Sequence, residues 1–309
     1  MTFKCGFVAL IGQPNAGKST LLNQILGSKL AITSAKPQTT RHRIAGIHNT
    51  DASQIILVDT PGIHEAWTAL NQSMVRRSLE AIKEVDVVCW LLDTVEYAAR
   101  YESRNAMFRE IDEQILKTLA GSGRPVIMVF NKMDVVPKPL VLPVIDAFSK
   151  RLDSVAIVPI SALTGDGKDA LVAEVESVLP EHPPLYPKDE WAQVSERFLV
   201  SEVIREKIFH LTEQEIPYSA FVEVERFDES ERETRSFVRI NAKISVERKS
   251  QKGIVIGKGG EMLKRIGTMA RKEIQTLLGC KVHLELFVNV ERDWSKTKKG
   301  LRKVGYEGR

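Results

Sequence analysis

The sequence predicts an α/β domain, with a mostly parallel sheet and helices on both faces, followed by a smaller α+β domain. Residues 1–180 alternate apolar, strand-like runs with helix-like runs, which is typical of parallel sheets. Four prolines then fall within residues 179–187, a composition typical of an extended, semi-rigid linker. We therefore predict a first domain over residues 1–180, a proline-rich linker over 181–193, and a second domain over 194–309 that ends in a basic tail.

The predicted elements follow the periodicity of the apolar residues. In the first domain, strands are predicted near residues 7–11, 44–48, 54–58, 86–92, 125–130 and 155–160, and long helices near 106–119 and 169–179. In the second domain, the predicted order is helix (194–211), strand (219–227), strand (236–246), helix (249–255), helix (261–278) and strand (281–290). Ligands bind at the carboxyl ends of parallel strands, so the functional loops are expected there.

A glycine-rich loop follows the first strand. Residues 12–19 read Gly-Gln-Pro-Asn-Ala-Gly-Lys-Ser and fit G-x-x-x-x-G-K-[ST], the phosphate-binding loop of nucleoside triphosphatases. The N–H groups of such a loop and the positive end of the following helix together bind anions. Lys18 would reach the β- and γ-phosphates, and the Ser19 hydroxyl would bind Mg²⁺. The predicted nucleotide-binding residues of this loop are Asn15, Ala16, Gly17, Lys18, Ser19 and Thr20.

Two later strand ends indicate which base is bound. Asn131-Lys132-Met133-Asp134 resembles the guanine-reading N-K-x-D motif of GTPases. The Asp134 carboxylate can accept hydrogen bonds from N1–H and the 2-amino group of guanine, a donor pair that adenine lacks. Asn131 would brace the loop and Lys132 would lie along the base. Ser161-Ala162-Leu163 resembles the element whose backbone N–H contacts the guanine oxygen, so the predicted ligands are GTP and GDP.

The segments between these motifs predict a metal site and two nucleotide-sensing switches. Asp59, in Asp59-Thr60-Pro61-Gly62, would hold Mg²⁺, and the Gly62 N–H would contact the γ-phosphate. Lys36-Pro37-Gln38-Thr39-Thr40-Arg41 resembles the first switch of the Era-type GTPases, with Thr40 as the predicted switch threonine and Thr39 as the alternative. The predicted metal ligands are Ser19, Thr40 and Asp59, and the predicted catalytic residues are Lys18, Thr40 and Gly62.

Ile63 occupies the position at which Ras-like GTPases carry a water-orienting glutamine. An isoleucine side chain cannot hydrogen-bond water, so we expect slow intrinsic hydrolysis that bound RNA stimulates. The neighbouring His64 is not predicted to be the base, because histidines in loops are commonly solvated. Asn15 is a candidate for binding a monovalent cation, K⁺, beside the phosphates, as in some related GTPases.

The second domain carries another glycine motif, Ile254-Val255-Ile256-Gly257-Lys258-Gly259-Gly260. It resembles the G-x-x-G loop of KH domains, and the order of elements resembles that of the type II KH fold. Such glycines let a nucleic-acid backbone pass close to the protein backbone. Unpaired bases are expected in a groove lined by Ile254, Val255, Ile256 and the following helix. The predicted RNA-binding residues are Ile254, Ile256, Gly257, Lys258, Gly259, Gly260, Lys264 and Arg265.

Basic residues are concentrated in the same part of the chain. Residues 1–180 carry 19 Lys and Arg against 19 Asp and Glu, residues 181–235 carry 7 against 14, and residues 236–309 carry 18 against 7. A local excess of this kind is the electrostatic footprint of a nucleic-acid binder. The tail over residues 296–303 either adds phosphate contacts or is a solvated helix face, and weak contact with anionic lipid is a third interpretation.

Composition is ordinary for a globular protein, with 309 residues, 43% of them hydrophobic and 27% charged. Cys5, Cys89 and Cys280 show no metal-binding spacing and favour a reducing compartment, and Cys89 is expected in the core. We recognise no signal peptide and no apolar run of membrane-spanning length. The expectation is a cytoplasmic monomer.

The motifs together are similar to the Era family of GTPases over nearly the whole chain. The resemblance implies a GTP-dependent switch whose KH domain binds the 3′ end of 16S ribosomal RNA during maturation of the 30S ribosomal subunit. Residues 65–68 and the long, polar segment 94–113 depart from the family pattern, which leaves the second-switch contacts open. Two other classes also stay open: a GTPase that acts on membranes or transport, and an RNA-binding protein whose GTPase half is only a scaffold.

Overall fold

The computed structural model describes residues 2–34, 36, 39–40, 44–64, 69–104, 106–297 and 300–301. The chain divides into two compact units. The first comprises Met1–Ala31, Thr40–Trp67 and Asn71–Gln193, and the second comprises Ile32–Thr39, Thr68–Leu70 and Val194–Arg309. Several predicted positions lie outside the described residues: Pro37, Gln38 and Arg41 of the first switch, residues 65–68, and Lys298, Lys299, Arg302 and Lys303 of the basic tail.

The sheet of the first unit contains β1 (Lys4–Gly12), β2 (Ile44–Asn49), β3 (Ser53–Asp59), β4 (Val87–Asp93), β5 (Val126–Asn131) and β6 (Ala156–Pro159). Their order across the sheet is β2-β3-β1-β4-β5-β6. β2 pairs antiparallel with β3, and all the other pairs are parallel. The mostly parallel sheet predicted from the alternation of elements is confirmed.

The strand register brings the predicted loops to one edge of this sheet. Leu10 lies beside Asp59, Gly12 beside Leu91, and Asp93 beside Asn131. The phosphate loop, the metal carboxylate and the guanine motif therefore all begin where parallel strands end. This is the edge at which α/β sheets bind ligands.

The helices of the first unit are α1 (Lys18–Leu26), α2 (Ala69–Glu84), α3 (Thr94–Glu102), α4 (Glu110–Ala120), α5 (Lys138–Ser149) and α6 (Lys168–Val178). The helix predicted over 106–119 begins only at Glu110, and α3 precedes it. The Asp93 carboxylate accepts the N–H of Glu96 and starts α3, whereas the Asp112 carboxylate accepts the N–H of Arg109 and starts α4. Two separate caps thus divide this polar segment into two helices.

An aromatic cluster fixes α3 and α5 against the sheet. The ring of Phe148 on α5 packs edge-on to Trp90, Tyr97, Phe108 and Phe130, with centroid distances of 4.8–5.8 Å. Such edge-to-face pairs stabilise by about 0.5–1.5 kcal/mol each beyond burial of area. Cys89 on β4 is buried in the same unit, as expected for a small core residue.

Residues 181–193, predicted as a linker, group with the first unit. Pro180 accepts a hydrogen bond from the N–H of Cys5 at 3.1 Å, and the Trp191 carbonyl accepts one from the N–H of Ile47 at 2.8 Å. Main-chain hydrogen bonds at both ends of this proline-rich segment hold it to β1 and β2.

The second unit contains α7 (Glu196–Leu211), α8 (Ile216–Ser219), β7 (Phe221–Asp228), α9 (Arg232–Arg235), β8 (Phe237–Val246), α10 (Lys249–Ile256), α11 (Glu261–Leu278) and β9 (Lys281–Val290). Its sheet has the order β7-β8-β9, with β7 antiparallel and β9 parallel to β8. The six predicted elements occur in the predicted order, with the short helices α8 and α9 in addition, and the predicted α+β class is confirmed.

One face of the second sheet is buried against helices. Alternate residues of β8, such as Val238, Ile240 and Ile244, are buried, and so are Ile266 and Ile274 on one side of α11. The other side of α11 is left exposed beside the edge strand β9. No helix among the described residues has the length and apolar character needed to cross a lipid bilayer.

Candidate functional site

The phosphate loop owes its shape to residues in left-handed backbone conformations. Gly12 has φ 146°, Asn15 has φ 64° and Gly17 has φ 98°. A side chain on Gly12 would place its Cβ 2.3 Å from the carbonyl oxygen of Leu91, so only glycine fits beside β4. Gly17 is the residue before α1, whose first turn carries Lys18, Ser19 and the half-buried Thr20. Loop N–H groups and the helix N-terminus therefore surround one potential anion site.

Lys18 lies folded across this loop. Its Nζ donates to the carbonyl oxygens of Gly12 at 3.1 Å and Gln13 at 2.9 Å, and the side chain is 6% exposed. Burial lowers the pKa of Lys18 to about 8, although the negative charge of Asp59 raises it in part. An ammonium held in this position can contact a bound phosphate without leaving the loop.

Three predicted metal ligands meet in one cluster. Ser19 Oγ donates to Asp59 Oδ2 at 2.8 Å, Thr40 Oγ1 donates to the same oxygen at 2.9 Å, and the two hydroxyl oxygens lie 2.7 Å apart. Burial raises the pKa of the Asp59 carboxyl, while Lys18 and the two hydroxyls lower it. Asp59 Oδ1 is buried with no hydrogen-bond partner within the described part of the chain.

The chemistry of this cluster fits Mg²⁺. A hard divalent cation prefers carboxylate and hydroxyl oxygens and commonly takes few protein ligands together with substrate phosphates. The orphaned Oδ1 of Asp59 is the kind of buried acceptor that a cation or its water satisfies. Within the described ranges, no group of three or more His, Cys, Asp or Glu side chains forms a separate metal site.

The neighbouring threonine of the first switch lies elsewhere. Thr39 accepts a hydrogen bond on its carbonyl oxygen from Nη2 of Arg205 on α7, and it belongs to the second unit. Lys36 of the same segment donates to the carbonyl oxygens of Phe209 at 2.7 Å and Thr212. The chain thus passes from the second unit to the metal cluster at the Thr39–Thr40 peptide bond. Of the two candidates, Thr40 has its hydroxyl in the cluster.

The Asp59-Thr60-Pro61-Gly62 turn packs directly on the phosphate loop. A Cβ on Gly62 would lie 2.7 Å from the backbone nitrogen of Pro14, which is too close for any side chain. The N–H of Ile63 donates to the carbonyl oxygen of Gly12 at 3.0 Å, and the Ile63 side chain is fully buried in the core. His64 Nδ1 lies 2.8 Å from the Gly62 carbonyl oxygen. The isoleucine therefore has a packing role and does not face an attacking water.

The guanine motif and the phosphate loop are joined by Asn131. Its Nδ2 donates to the carbonyl oxygen of Ala16 at 2.7 Å, and its Oδ1 accepts the N–H of Ala162 at 2.8 Å. A Cβ on Gly17 would lie 2.1 Å from Nδ2, so this bridge requires glycine in the loop. The bridge holds three nucleotide-binding segments in one arrangement.

The other guanine-motif residues surround that bridge. Lys132 has φ 71°, and its Nζ pairs with Asp93 Oδ2 at 2.5 Å. Asp134 is exposed and available to a ligand. Ser161 is 2% exposed, whereas the Leu163 side chain is 75% exposed, so the latter offers its surface to solvent or a ligand.

The G-x-x-G loop forms a tight exposed turn between α10 and α11. Gly257, Gly259 and Gly260 have φ of 75°, 59° and 84°, which only glycine adopts without strain. A Cβ on Gly257 would lie 2.7 Å from Cβ of Met262, whereas Gly259 and Gly260 have open space around them. Lys258 is exposed at the tip. A nucleic-acid backbone can approach closely here.

A groove starts at this turn and runs between α11 and β9. Basic side chains flank an apolar floor, and small residues keep the groove open; the lining residues are Gly260, Leu263, Lys264, Gly267, Thr268, Arg271, Leu284 and Leu286. Ile254 is half exposed, but Val255 is fully buried in the core of the second unit and cannot line any groove. Of the predicted RNA-binding residues, Gly260 and Lys264 line this groove between α11 and β9. Ile256 is half-buried, and Arg265 is exposed outside the lining set.

Sequence reasoning missed several polar side chains near the site. Gln13 of the phosphate loop is hydrogen-bonded to Tyr97 and Asp112, and Arg205 holds Thr39. For Tyr97 and Asp112 the sequence signal was the unusual polarity of residues 94–113, which gave no hint of what these side chains contact. Leu284, Leu286 and Arg271 of the groove were also missed, because a strand-and-helix pattern does not show which outer face stays open.

Comparison with known families agrees with the two units. Residues 7–132 match the family described as 50S ribosome-binding GTPase, and residues 215–295 match the KH domain. A GTPase Era of Geobacter metallireducens is 51% identical over 304 residues, covering 98% of each chain. A GTPase Era of Geotalea daltonii is 50% identical over 305 residues, covering 99% of this chain and 98% of its own.

Two solved structures share the whole fold. A single-substitution variant of Aquifex aeolicus Era bound to GDP·AlF₄⁻ is 38% identical, with a TM-score of 0.90 over 99% of this chain and 100% of its own. Era in complex with MgGDPNP and nucleotides 1506–1542 of 16S ribosomal RNA has the same identity, TM-score and coverage. With this identity to curated relatives along its length, and with the phosphate loop, guanine motif and KH unit in place, the chain belongs to the Era family of GTPases.

Proposed function

We propose that this protein is a GTP-hydrolysing switch that binds the 3′ end of 16S ribosomal RNA through its KH domain and assists maturation of the 30S subunit. The observation that carries the proposal is the cluster of Ser19, Thr40 and Asp59, which joins a switch residue to the phosphate loop. The solved Era complex with MgGDPNP and a 16S fragment supports the RNA partner.

Each predicted nucleotide residue has a role in the proposal. The N–H groups of Asn15 to Thr20 surround the phosphates, and Lys18 supplies positive charge to the β- and γ-phosphates. Asn131 and Ala162 keep the guanine pocket in place, Asp134 reads the N1–H and 2-amino group, and Lys132 covers the base. Adenine would leave the Asp134 carboxylate without its donors, which disfavours ATP.

Ser19 and Thr40 would hold Mg²⁺, with Asp59 as the carboxylate of the site. The cation would neutralise negative charge on the β- and γ-phosphates during hydrolysis. The protein's own residues order the site: Thr40 and the N–H of Gly62 meet the γ-phosphate side, and their contacts end when the γ-phosphate leaves. Lys18, Thr40 and Gly62 are therefore proposed to act on the reacting group.

The attacking water is expected to lack a side-chain partner at residue 63. Because Ile63 packs in the core, we propose that intrinsic hydrolysis is slow and that bound RNA accelerates it by ordering the water.

K⁺ beside Asn15 would add positive charge near the phosphates. Hydrolysis rates in KCl and NaCl at matched ionic strength test this part, and equal rates would remove K⁺ from the proposal.

RNA binds in the groove between α11 and β9. Lys258 and Lys264 meet phosphates, the glycines of the G-x-x-G turn admit the backbone, and Leu284 and Leu286 contact unpaired bases. The local excess of 18 basic over 7 acidic residues in 236–309 supports binding to a polyanion.

The two activities are coupled through the first switch. Thr40 lies in the metal cluster, and the adjacent Thr39 is held by Arg205 of α7 in the KH-containing unit. A change at Thr40 on loss of the γ-phosphate is transmitted along the chain to that unit. The protein is further proposed to act as a cytoplasmic monomer, with weak lipid contact by the basic tail as a subsidiary activity that vesicle flotation would detect.

The test uses the full-length protein and an oligonucleotide of the 16S 3′ end. GTP hydrolysis that is abolished by Lys18→Ala, and RNA binding that is weakened by Lys258→Glu with hydrolysis retained, would support the proposal. In cells depleted of the wild-type protein, failure of Lys18→Ala to restore 30S maturation is expected. Full restoration by Lys18→Ala would instead show that the GTPase half is only a scaffold.

A further inference from the structure

A buried polar cluster beside the phosphate loop joins Gln13 to Tyr97 of α3 and Asp112 of α4. Gln13 Nε2 donates to the Tyr97 hydroxyl oxygen at 3.0 Å and also to Asp112 Oδ1. The Tyr97 hydroxyl donates to the same Oδ1 at 2.6 Å. Asp112 is completely buried, Tyr97 is 2% exposed and Gln13 is half-buried, so the three groups satisfy one another at the edge of the core.

The Asp112 carboxylate contacts the phosphate loop and α3 as well as the start of its own helix. Its Oδ2 accepts the N–H of Arg109 at 2.8 Å, which is an ordinary contact at the start of α4. Its Oδ1 accepts from side chains on two other elements. A buried carboxylate is costly unless donors satisfy its lone pairs, and here the donors come from α3 and the phosphate loop. Asp112 thereby ties α3 and α4 to the loop.

Tyr97 is fixed at both ends of its side chain. Its ring packs edge-on to Phe148 with centroids 4.8 Å apart, and its hydroxyl is held by Asp112. Burial and the neighbouring Asp112 carboxylate raise the pKa of Tyr97, so the hydroxyl stays protonated at neutral pH. The Tyr97 hydroxyl therefore donates its hydrogen to Asp112, and its oxygen accepts the hydrogen bond from Gln13.

Gln13 lies at the end of the phosphate loop that packs on the Asp59-Thr60-Pro61-Gly62 turn. Its carbonyl oxygen accepts a hydrogen bond from Lys18 Nζ at 2.9 Å. The next residue, Pro14, is in close contact with Gly62. The position of Gln13 thus influences two groups proposed to meet the terminal phosphate of GTP.

We propose that Tyr97 and Asp112 are positioning residues for GTP hydrolysis, which hold Gln13 and so place Lys18 and Gly62 around the terminal phosphate. The proposal rests on the phosphate-binding role assigned to residues 12–19. Loss of the cluster affects GTP more than GDP, because the diphosphate lacks the group that Gly62 meets and keeps its contacts to the guanine motif.

The test compares Tyr97→Phe with Tyr101→Phe in the full-length protein. Both changes remove one hydroxyl from α3, but Tyr101 is 49% exposed and lies outside the cluster. For Tyr97→Phe we expect kcat for GTP hydrolysis and the GTP-to-GDP affinity ratio each to fall about fivefold, the effect of one buried hydrogen bond. Tyr101→Phe should leave both unchanged. Thermal unfolding of each variant is measured separately.

A second variant and a double-mutant cycle distinguish a loss of positioning from a loss of stability. Gln13→Met keeps the length of the side chain, removes its donors and leaves Asp112 bonded to Tyr97. The effects of Gln13→Met and Tyr97→Phe on the affinity ratio should be clearly less than additive when combined. If Tyr97→Phe lowers only the melting temperature, or if the two effects add, the positioning role is refuted while the GTPase proposal stands. Failure of the wild-type chain to bind GTP would instead refute that underlying proposal.

Discussion

Replacing Asn131 by alanine tests the bridge that joins the phosphate loop to the guanine pocket. The Asn131 side chain is 2% exposed and makes two hydrogen bonds, to the carbonyl oxygen of Ala16 at 2.7 Å and from the N–H of Ala162 at 2.8 Å. Alanine leaves both backbone groups without a partner. Each buried orphan costs about 1–3 kcal/mol, so the total is about 2–6 kcal/mol.

Part of this cost lowers the stability of the nucleotide-free protein, and the rest lowers its affinity for nucleotide. Water can satisfy part of the orphaned groups if the loops loosen, and loosened loops no longer present one guanine pocket. We expect nucleotide affinity to fall by about 2 kcal/mol, or about 30-fold, for both GTP and GDP. The remainder should appear as a lower free energy of unfolding without nucleotide.

The assay is titration with a fluorescent guanine nucleotide, combined with thermal unfolding in the absence of nucleotide. Asn241→Ala is the matched control, because Asn241 makes one exposed hydrogen bond to Glu285 in the second unit. The control should bind nucleotide as the wild type does. A loss of less than about threefold for Asn131→Ala would refute the argument that this bridge forms the pocket.

The remaining predictions concern charge and coupling. Burial lowers the pKa of Lys18 to about 8, and bound phosphates favour its charged form. GTP binding at pH 8 should therefore take up about half a proton, and this uptake should fall towards zero at lower pH. Calorimetry in two buffers of different ionisation enthalpy measures the uptake, and zero uptake at pH 8 would contradict the prediction. Lys258→Glu should weaken RNA binding at least about tenfold at low salt and flatten its salt dependence, whereas Lys138→Glu, an exposed reversal in the first unit, should not; equal effects would argue against a specific site. Arg205→Lys keeps the charge but lacks the fork that holds Glu202 and the Thr39 carbonyl. Arg205→Lys should bring the RNA affinities of the GTP and GDP forms closer together, while the affinity for GTP changes less than about threefold. If RNA titrations show the same difference between the two forms as in the wild type, Arg205 does not transmit the nucleotide state.

Local patterns predicted most of the fold. The bounds of α11 and β9 agree with the apolar periodicity, and the convergence of the phosphate loop, Asp59 and Asn131 follows from the rule that parallel strands end at one edge. These features depend on residues close together in sequence, where periodicity and motif spacing carry the information.

Contacts between distant residues could not be predicted in the same way. The register of the first switch is one example, since two adjacent threonines are equivalent in sequence and only the folded chain places the Thr40 hydroxyl beside Asp59. The cluster around Asp112 is another, because Gln13 lies 99 residues away and nothing in either segment marks the pairing. The groove is a third, since its location depends on which sides of α10 and α11 pack on the sheet, and Val255 of α10 is buried in that core.

The most direct measurement of the central claim is the affinity of the full-length protein for a 16S 3′-end oligonucleotide, determined once with a non-hydrolysable GTP analogue and Mg²⁺ and once with GDP and Mg²⁺. If the metal cluster and the first switch transmit the nucleotide state to the RNA groove, the two dissociation constants differ by at least about fivefold, which corresponds to about 1 kcal/mol of coupling. Identical constants in the two states would contradict the account.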